Sequence, residues 1–394
     1  MDHRIACISQ GKLHLIGSKP AEESVSSDFV RDLKKRLQVI ESRASIRNGS
    51  GAAFMRGGLP MQDGPSVEDT FTSEFSCVSG SSQSGEICYG IDAGEVRALF
   101  IYEIADRYER RVYHGPNHRF AAISTRQTSE GPEWLVAMAR DHGGSRIGLI
   151  KPQSGGGIQE LTEGDSLDSY PAWAPSAEDS FVYQTSGIGR HHSSNAWEGL
   201  GPASIQKVNM QTGEMQSVAE DDRFDFLCPS YGPDGVLYYL KRPYEPFHRP
   251  SFWQFLLDIV LYPFRLVRAF LAFLNVFSMF FSGKPLQTAG LPPRRDGPDP
   301  KSVFLHGRWI NMEKKMRQAA ADELKDFLPK NWELIARSPD GEKVICNSVM
   351  AYTIASDGSI YYSNGKAVFA KAGPDSPVKK ISDLKLVTSL AAVA

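Results

Sequence analysis

The sequence predicts an all-β protein, a β-propeller of roughly six blades with helical insertions, and three observations support this. The 394 residues include 35 Gly and 24 Pro, which indicates many turns and therefore many short elements. Short segments rich in β-branched and aromatic residues alternate with polar or Gly-rich turns. Strand–turn–strand units recur roughly every 40 to 60 residues, a spacing typical of propeller blades, each a four-stranded sheet. We therefore expect residues 1–394 to form one propeller domain.

The first half of the chain contains strand-sized segments in succession. They are RIACISQ and KLHLIGS, which flank a turn at Gln10-Gly11, then ALFIYEIADR, RRVYHG, RFAAISTRQ, EWLVAMAR, RIGLIKP and IQELT. A closed propeller leaves no free sheet edge at its seam, so we expect one strand from each terminus to share a blade. The C-terminal segment LKLVTSLAAV is the candidate to pair with RIACISQ.

The second half repeats the pattern around Asp-Gly turns. GPDGVLYYLK and ASDGSIYYSN each predict two strands joined at Asp234-Gly235 or Asp357-Gly358, and RSPDGEKVICNS carries the same turn. Glycine fills the position of positive φ that such a turn requires.

Three phrases, YPAWAPSAED, CPSYGPDG and ARSPDG, resemble the Pro-aromatic-Ser-Pro-Asp-Gly signature of TolB-like propeller repeats. The same signature occurs in the N-terminal propellers of prolyl-oligopeptidase-type enzymes. The resemblance covers two clear repeats, Tyr170 to Asp179 and Cys228 to Gly235, and two degenerate ones further on. It implies blade architecture and names no ligand.

Three segments interrupt the β pattern. Residues 25–43 predict a helical insertion, because Val30, Leu33, Leu37 and Ile40 have helical spacing after a Ser-Asp cap. Residues 310–328 predict a second helix, which Pro329 ends. Residues 247–300 predict an apolar helical insertion with proline-rich arms.

The apolar insertion contains Phe252 to Phe281, whose few polar side chains fall near one helical stripe. Apolar residues contribute about −8 kcal/mol to bilayer insertion, and Asp258, Arg265 and Arg268 cost about +9 kcal/mol, so a spanning helix is not favoured. An amphipathic helix in the membrane interface, a contact with a partner or a second copy, and packing on the protein's own surface remain alternatives. The residues predicted to bind the membrane or partner are Trp253, Phe255, Phe264, Arg265, Arg268, Phe270, Phe273, Phe277 and Phe280.

A loop in the middle of the chain, GIGRHHSSNAWEG, is a candidate binding loop, because it mixes hydrogen-bond donors with an aromatic side chain. Its candidate residues are Arg190, His191, His192, Asn195 and Trp197.

Composition excludes several classes of function. A net charge of −2 predicts no nucleic-acid partner. The five cysteines form no CxxC pair, which predicts neither a zinc site nor a disulfide framework. No catalytic motif, phosphate loop or calcium loop occurs, so we predict no catalytic residues, no metal and no cofactor. The N-terminus lacks the pattern of an export signal, and we expect a cytoplasmic protein, peripheral on the inner face of a membrane where the insertion meets lipid.

Together these features predict a non-catalytic scaffold or adaptor that binds a protein partner and attaches to a membrane or larger assembly through the insertion. Two alternatives stay open. One is a hydrolase or lyase with its site in the central channel, built from residues of several blades. The other is a soluble subunit of a stable complex, with the insertion buried between chains.

Overall fold

The structure is a computed structural model that describes twelve ranges of the chain. These are residues 3–17, 22–48, 73–81, 83–140, 143–155, 157–175, 179–193, 197–245, 302–305, 308–311, 328–339 and 341–393. The chain divides into two compact units, of which the first is Met1–Tyr244 with Lys315–Ala394 and the second is Glu245–Lys314.

The first unit is built of short strands, as the sequence predicts. In chain order they are β1 (Ile5–Ser9), β2 (Lys12–Ile16), β3 (Glu22–Val25), β4 (Glu74–Gly80), β5 (Glu86–Asp92), β6 (Arg97–Glu103), β7 (Tyr108–Gly115), β8 (Arg119–Thr128), β9 (Gly131–Ala139), β10 (Ser145–Ile150), β11 (Ile158–Glu160), β12 (Ser166–Trp173), β13 (Ser180–Arg190), β14 (Trp197–Leu200), β15 (Ser204–Asn209), β16 (Met215–Ala219), β17 (Phe224–Tyr231) and β18 (Leu237–Pro243). After β19 (Ser302–Leu305) and β20 (Arg308–Asn311) of the second unit, the first unit resumes with β21 (Glu333–Ser338), β22 (Gly341–Asn347), β23 (Ala351–Ile354), β24 (Ile360–Ser363), β25 (Val368–Lys371), β26 (Lys379–Ser382) and β27 (Val387–Ala392).

Consecutive strands pair into antiparallel sheets. Four sheets have four strands each, in the orders β27-β1-β2-β3, β4-β5-β6-β7, β17-β18-β21-β22 and β23-β24-β25-β26. A nine-stranded sheet contains two similar sets, β8 to β11 and β12 to β16, and a single parallel bridge between Ser145 and Leu167 joins them. Strand β14 is an addition to the second set, since it pairs only with the far end of β13.

The two ends of the chain share one sheet. Strand β27 pairs antiparallel with β1, from Ile5 opposite Ala392 to Ser9 opposite Val387. The expected pairing of the C-terminal segment with RIACISQ is therefore present, with one register shift between Ile8 and Ser9.

Apolar side chains fill the space between successive sheets. In the described residues they form six clusters, and each draws mainly on two sheets that follow one another along the chain. Trp134 and Phe120, for example, pack with Cys88 and Leu99 of the preceding sheet. Cys7 and Ile5 of the seam sheet pack with Tyr361 of the sheet before it. Each sheet thus buries both faces only because it has a neighbour on either side.

The first strand of each sheet or set contacts the first strand of the next. We call these six, β4, β8, β12, β17, β23 and β27, the inner strands. Side-chain hydrogen bonds link several of them. Thr125 Oγ1 donates to the carbonyl of Gly80 at 2.8 Å, and Tyr352 Oη donates to the carbonyl of Cys228 at 2.6 Å. The amide of Ala392 donates to Thr353 Oγ1 at 3.3 Å. These bonds connect strands that share no backbone ladder.

A helix, α1 (Asp28–Asn48), lies between β3 and β4, and its N-terminus is held by one carboxylate. Glu109 of β7 accepts hydrogen bonds from Ser27 Oγ (3.1 Å), from the amide of Asp28 (3.0 Å) and from Tyr89 Oη (2.8 Å). Phe29 packs on Phe100 with ring centroids 5.3 Å apart. Further along the helix, Ile40 is 62% exposed.

The predicted Asp-Gly turns have the expected backbone. Gly235 joins β17 to β18 with φ of +79°, and Gly358 joins β23 to β24 with φ of +80°. Both lie in the left-handed region, where an added side chain would be strained.

The second unit shows one hairpin in its described residues, β19 paired with β20. The helix predicted over residues 310–328 is wrong at its start, because Ile310 and Asn311 pair with Val303 and Ser302 as part of β20. Residues 312–327 and the apolar insertion over 247–300 lie outside the described ranges. Within those ranges, no helix has both the length and the apolar character that a bilayer crossing needs.

Candidate functional site

Two neighbouring inner strands carry the same backbone irregularity. The pairing of β12 with β13 shifts register after Ser169, and the pairing of β17 with β18 shifts after Leu227. Tyr170 and Cys228 occupy these β-bulges, with φ of +49° and +51°. Positive φ in a bulky residue is a real outlier, and bulges of this kind re-aim a side chain.

Each of the two residues also precedes a proline, Pro171 or Pro229. A following proline narrows the backbone choices of the residue before it, which adds to the strain. Backbone strain concentrates at functional sites, where surrounding structure holds it in place. We therefore take Tyr170 and Cys228 as the start of the candidate site.

Tyr170, Cys228 and Tyr352 lie deep in the first unit and still keep part of their surface accessible to solvent. Burial raises the pKa of all three groups well above their usual values. Cys77 lies close enough to raise the pKa of Tyr170 further, while Arg242 acts in the opposite direction. Tyr170 lies on β12, Cys228 on β17 and Tyr352 on β23, three successive inner strands, and all three groups are neutral at pH 7.

The thiols of the chain are poor nucleophiles in this fold. Burial raises the pKa of Cys7, Cys77 and Cys346 to about 12, and it raises those of Cys88 and Cys228 as well. A cysteine attacks as its thiolate, so thiols held protonated at neutral pH are structural groups. The two thiols on inner strands, Cys77 and Cys228, are therefore protonated at neutral pH and are not activated for nucleophilic attack.

A buried ion pair joins β17 to its neighbour β18. Arg242 Nε donates to Asp225 Oδ2 at 2.9 Å, and the two side chains are 3% and 2% exposed. Asp225 Oδ1 accepts a hydrogen bond from the amide of Ala203 at 3.1 Å. The guanidinium of Arg242 also lies 4.7 Å from the ring centroid of Trp332. Removing either partner would leave the other charge buried without a counter-ion, which would strongly destabilise the fold.

A second buried carboxylate, Asp168, is engaged in a similar way. Thr185 Oγ1 donates to Asp168 Oδ1 at 2.6 Å, and Ser145 Oγ donates to the backbone carbonyl of Asp168, also at 2.6 Å. The side chain of Asp168 accepts a hydrogen bond from its own set of strands, and its backbone carbonyl accepts one from the set before it in the same sheet. Asp168 and Asp225 thus accept hydrogen bonds from neighbouring groups of the fold, and their role is structural.

A charged network lies at the opposite end of the inner strands. The guanidinium of Arg126 stacks 3.5 Å from the ring centroid of Trp173. Arg126 donates twice to Glu133 Oε2, at 2.9 and 2.7 Å, and once to Asp179 at 2.9 Å. Lys151 reaches the other carboxylate oxygen of Glu133 at 2.9 Å. This network joins the last residues of β8 and β12.

The candidate binding loop forms a hairpin, which we call the ribbon (β13 from Gly187 onward, with β14). Arg190 ends β13 and lies opposite Trp197 in the register of the hairpin. Arg190 Nη2 donates to Asp165 Oδ1 at 2.7 Å. His191 and His192 follow and are exposed. The structure therefore brings four of the five predicted residues to one hairpin, and Asn195 lies outside the described residues.

The residues predicted for the apolar insertion, from Trp253 to Phe280, lie outside the described ranges as well. Within those ranges, no group of three or more His, Cys, Asp or Glu side chains is placed to hold a metal ion.

Sequence reasoning missed the residues that start this candidate site and the ion pair near them. Arg242 and Asp225 carry no motif, because their pairing depends on the register between β17 and β18. Tyr170 and Cys228 did leave a signal, since both stand before proline within the quoted repeats YPAW and CPSY. A residue before proline in the middle of a strand marks a bulge.

Comparison with known proteins identifies the architecture. No known family model matches the sequence, and no curated protein matches it either. Among solved structures, TolB from Acinetobacter baumannii matches with a TM-score of 0.50 and 8% identity, over 99% of this chain and 66% of that one. A chain of the nidogen/laminin complex matches with a TM-score of 0.51 and 7% identity, over 99% of this chain and 98% of that one. The fold is a β-propeller.

At 7 and 8% identity the likeness concerns the fold alone. It confirms the predicted propeller architecture. Tyr170, Cys228 and Tyr352 all lie on inner strands of this propeller.

Proposed function

We propose that the propeller has six blades of the TolB-like repeat type. Four separate sheets and the two sets of the nine-stranded sheet would each be one blade, with β14 as an addition. The six apolar clusters support this count, because a closed ring has as many interfaces as blades. The phrases YPAW and CPSYGPDG support the repeat type.

We propose that the protein is a non-catalytic scaffold or adaptor. It would bind a protein through its propeller face and attach to a membrane or larger assembly through residues 247–300. The observation that carries this proposal is that β18 pairs directly with β21, although 89 positions of the chain separate Pro243 from Glu333. The blade is complete without the intervening segment, which supports a role for this apolar insertion other than completing the blade.

We call the connection from β18 to β21 the excursion. Contacts between residues at its start and at its end hold its two ends together. Arg242 immediately precedes the exit of the chain, and Trp332 immediately precedes β21 on its return. Their cation–π contact, together with the Asp225 ion pair, joins the two arms at the ring. With these contacts in place, a partner bound to the insertion would not disrupt the pairing of β18 with β21.

The proposal is tested by replacing residues 246–327 with a short Gly-Ser linker. The shortened chain is expected to melt cooperatively near the temperature of the full chain, because the contacts of Arg242 with Asp225 and Trp332 remain. We expect the full chain to float with vesicles of mixed phosphatidylcholine and phosphatidylglycerol, or to elute with a partner after gentle extraction, and the shortened chain to do neither.

A second variant tests the insertion within the full chain. Phe270→Asp with Phe273→Asp places two charges on its apolar side and should release the protein from membranes or partner while the fold survives. A full chain that stays in the supernatant and elutes as a monomer would contradict the proposal. Elution with a partner and no flotation would show that the insertion serves a complex instead of lipid.

The second candidate function is a hydrolase or lyase site in the central channel. The strained bulges at Tyr170 and Cys228 favour it, since such strain is common at active sites. Turnover of model ester, peptide or uronate substrates that Tyr170→Phe abolishes, with the fold intact, would support this alternative over the scaffold.

A further inference from the structure

The long connections of the ring leave from one end of its strands. In a four-stranded antiparallel blade, the inner strand begins at one end of the sheet. The second and fourth strands both finish at that same end. Three long connections leave from and return to this end, which we call the entry end. They are the connection from β3 to β4 with α1, the ribbon between β13 and β15, and the excursion between β18 and β21.

The opposite end carries short turns. These include the Asp-Gly turns before β18 and β24, and the turns that contain Asp106, Glu130 and Glu214. The Asp-Gly turns of the repeat motif thus lie at one end of the strands. The connections that vary from blade to blade leave from the other end. Binding residues of a rigid scaffold lie mainly on such variable connections.

Contacts join the ribbon to the exit of the chain. Tyr244 Oη donates to the carbonyl of Leu200 at 2.7 Å, and the amide of Tyr244 donates to the carbonyl of Arg223 at 2.8 Å. On its other side, the amide of Ile188 donates to the carbonyl of Asp165 at 3.0 Å. Two segments that are far apart in the sequence, the ribbon and the root of the excursion, therefore share one surface.

Acidic side chains dominate this surface. Arg190 is paired with Asp165, and Arg223 is paired with Asp221 at 3.1 Å, so these arginines are balanced locally. Lys330 adds one exposed positive charge, and the half-buried Lys241, whose Nζ lies 4.8 Å from the ring centroid of Phe224, adds a second. Four further exposed carboxylates lie in the ribbon and in the connections on either side of it: Glu163, Glu198, Glu220 and Asp222.

We propose that the ribbon and the two connections beside it form a docking surface for a protein partner with a basic face. This inference rests on the proposed adaptor function and specifies the partner. An anionic membrane fits the surface poorly, because lipid headgroups of that kind attract basic segments and would be repelled here. Charge complementarity of this sort steers association and selects the partner.

The test measures binding of a fluorescent decalysine peptide to the full chain by anisotropy at low and high salt. The variant Glu163→Lys/Glu198→Lys/Asp222→Lys reverses three charges at the entry end. The matched control, Asp106→Lys/Glu130→Lys/Glu214→Lys, makes the same change in net charge at the opposite end. We expect the first variant to weaken binding by about tenfold or more and the control to change it by about threefold or less.

Equal effects of the two variants would overturn the proposal, because binding would then follow net charge alone. Absence of measurable decalysine binding to the wild-type chain at low salt would also overturn it, whether or not the chain floats with vesicles. The proposed function can fail separately, since the linker replacement of residues 246–327 leaves all three reversed positions in place.

Discussion

Glu133 shows how a single charged residue is fixed in this ring. Its side chain is 7% exposed, and it accepts hydrogen bonds from Arg126 on one oxygen and binds Lys151 with the other. Burial alone would raise the pKa of Glu133. The hydrogen bonds from Lys151 and Arg126 outweigh burial and bring that pKa below its usual value. The carboxylate is therefore more acidic in the folded protein than in the unfolded chain.

A lowered pKa in the folded state gives a defined pH dependence. The stabilisation is present above the unfolded pKa of a glutamate and is lost as pH falls through the lower folded pKa. We expect Glu133→Gln to reduce the free energy of unfolding at pH 7 and to flatten its decline in the acid range. Urea unfolding at several pH values measures this, with exposed Glu214→Gln as the control. Equal pH profiles for Glu133→Gln and wild type would contradict the assignment.

At the residue scale, the sequence predicted what depends on local backbone chemistry. The turns at Gly235 and Gly358 follow from the need for positive φ, which glycine meets wherever it stands. Arg242 and Asp225 could not be predicted, because nothing in either segment indicates which residue will lie opposite in the ladder. Tyr170 lies between these cases, since the proline after it marks a bulge without revealing where the side chain points.

At the element scale, periodicity succeeded for strands and was less informative for helices. The segment that begins INMEKKM has helical spacing, yet Ile310 and Asn311 complete a hairpin with β19. Cross-strand pairing offers these two residues partners that a helix would not, and tertiary context overrides propensity. The sequence predicts a loop at the ribbon for a related reason, because its glycines conceal the strand pattern of β14.

Helix α1 depends on a carboxylate supplied by another element. Glu109 meets the N-terminus of the helix, where a negative charge complements the helix dipole and accepts amide hydrogens. We expect Glu109→Gln to destabilise the protein by about 1–2 kcal/mol and to speed amide hydrogen exchange in the first turns of α1. Glu103→Gln on the neighbouring strand is the control. Unchanged exchange in α1 would show that packing of Phe29 and its neighbours suffices to hold the helix.

At the scale of the whole molecule, stability depends on the closure of the ring. Each blade buries its faces against two neighbours, and the seam sheet joins β27 to β1. The hydroxyl of Thr125 and that of Tyr352 link inner strands of different blades by bonding to backbone carbonyls. In a closed ring, all interfaces between blades contribute together to the free energy of unfolding. A packing defect at the seam should therefore reduce the stability of the whole fold.

Gly80 tests that expectation, because it lies where β4 approaches the last strand. A Cβ added at Gly80 would lie 2.3 Å from the carbonyl oxygen of Ala392, so one of the two strands would have to move. We expect Gly80→Ala to lower the free energy of unfolding by about 1–3 kcal/mol or more, as overpacking does. A Cβ at Gly157 meets nothing within 4 Å, and Gly157→Ala should stay within about 0.5 kcal/mol of wild type. Chemical denaturation compares the two variants, and limited proteolysis should show the termini of Gly80→Ala released first. If both alanine variants unfold like wild type, the two strands are farther apart than this closed ring requires.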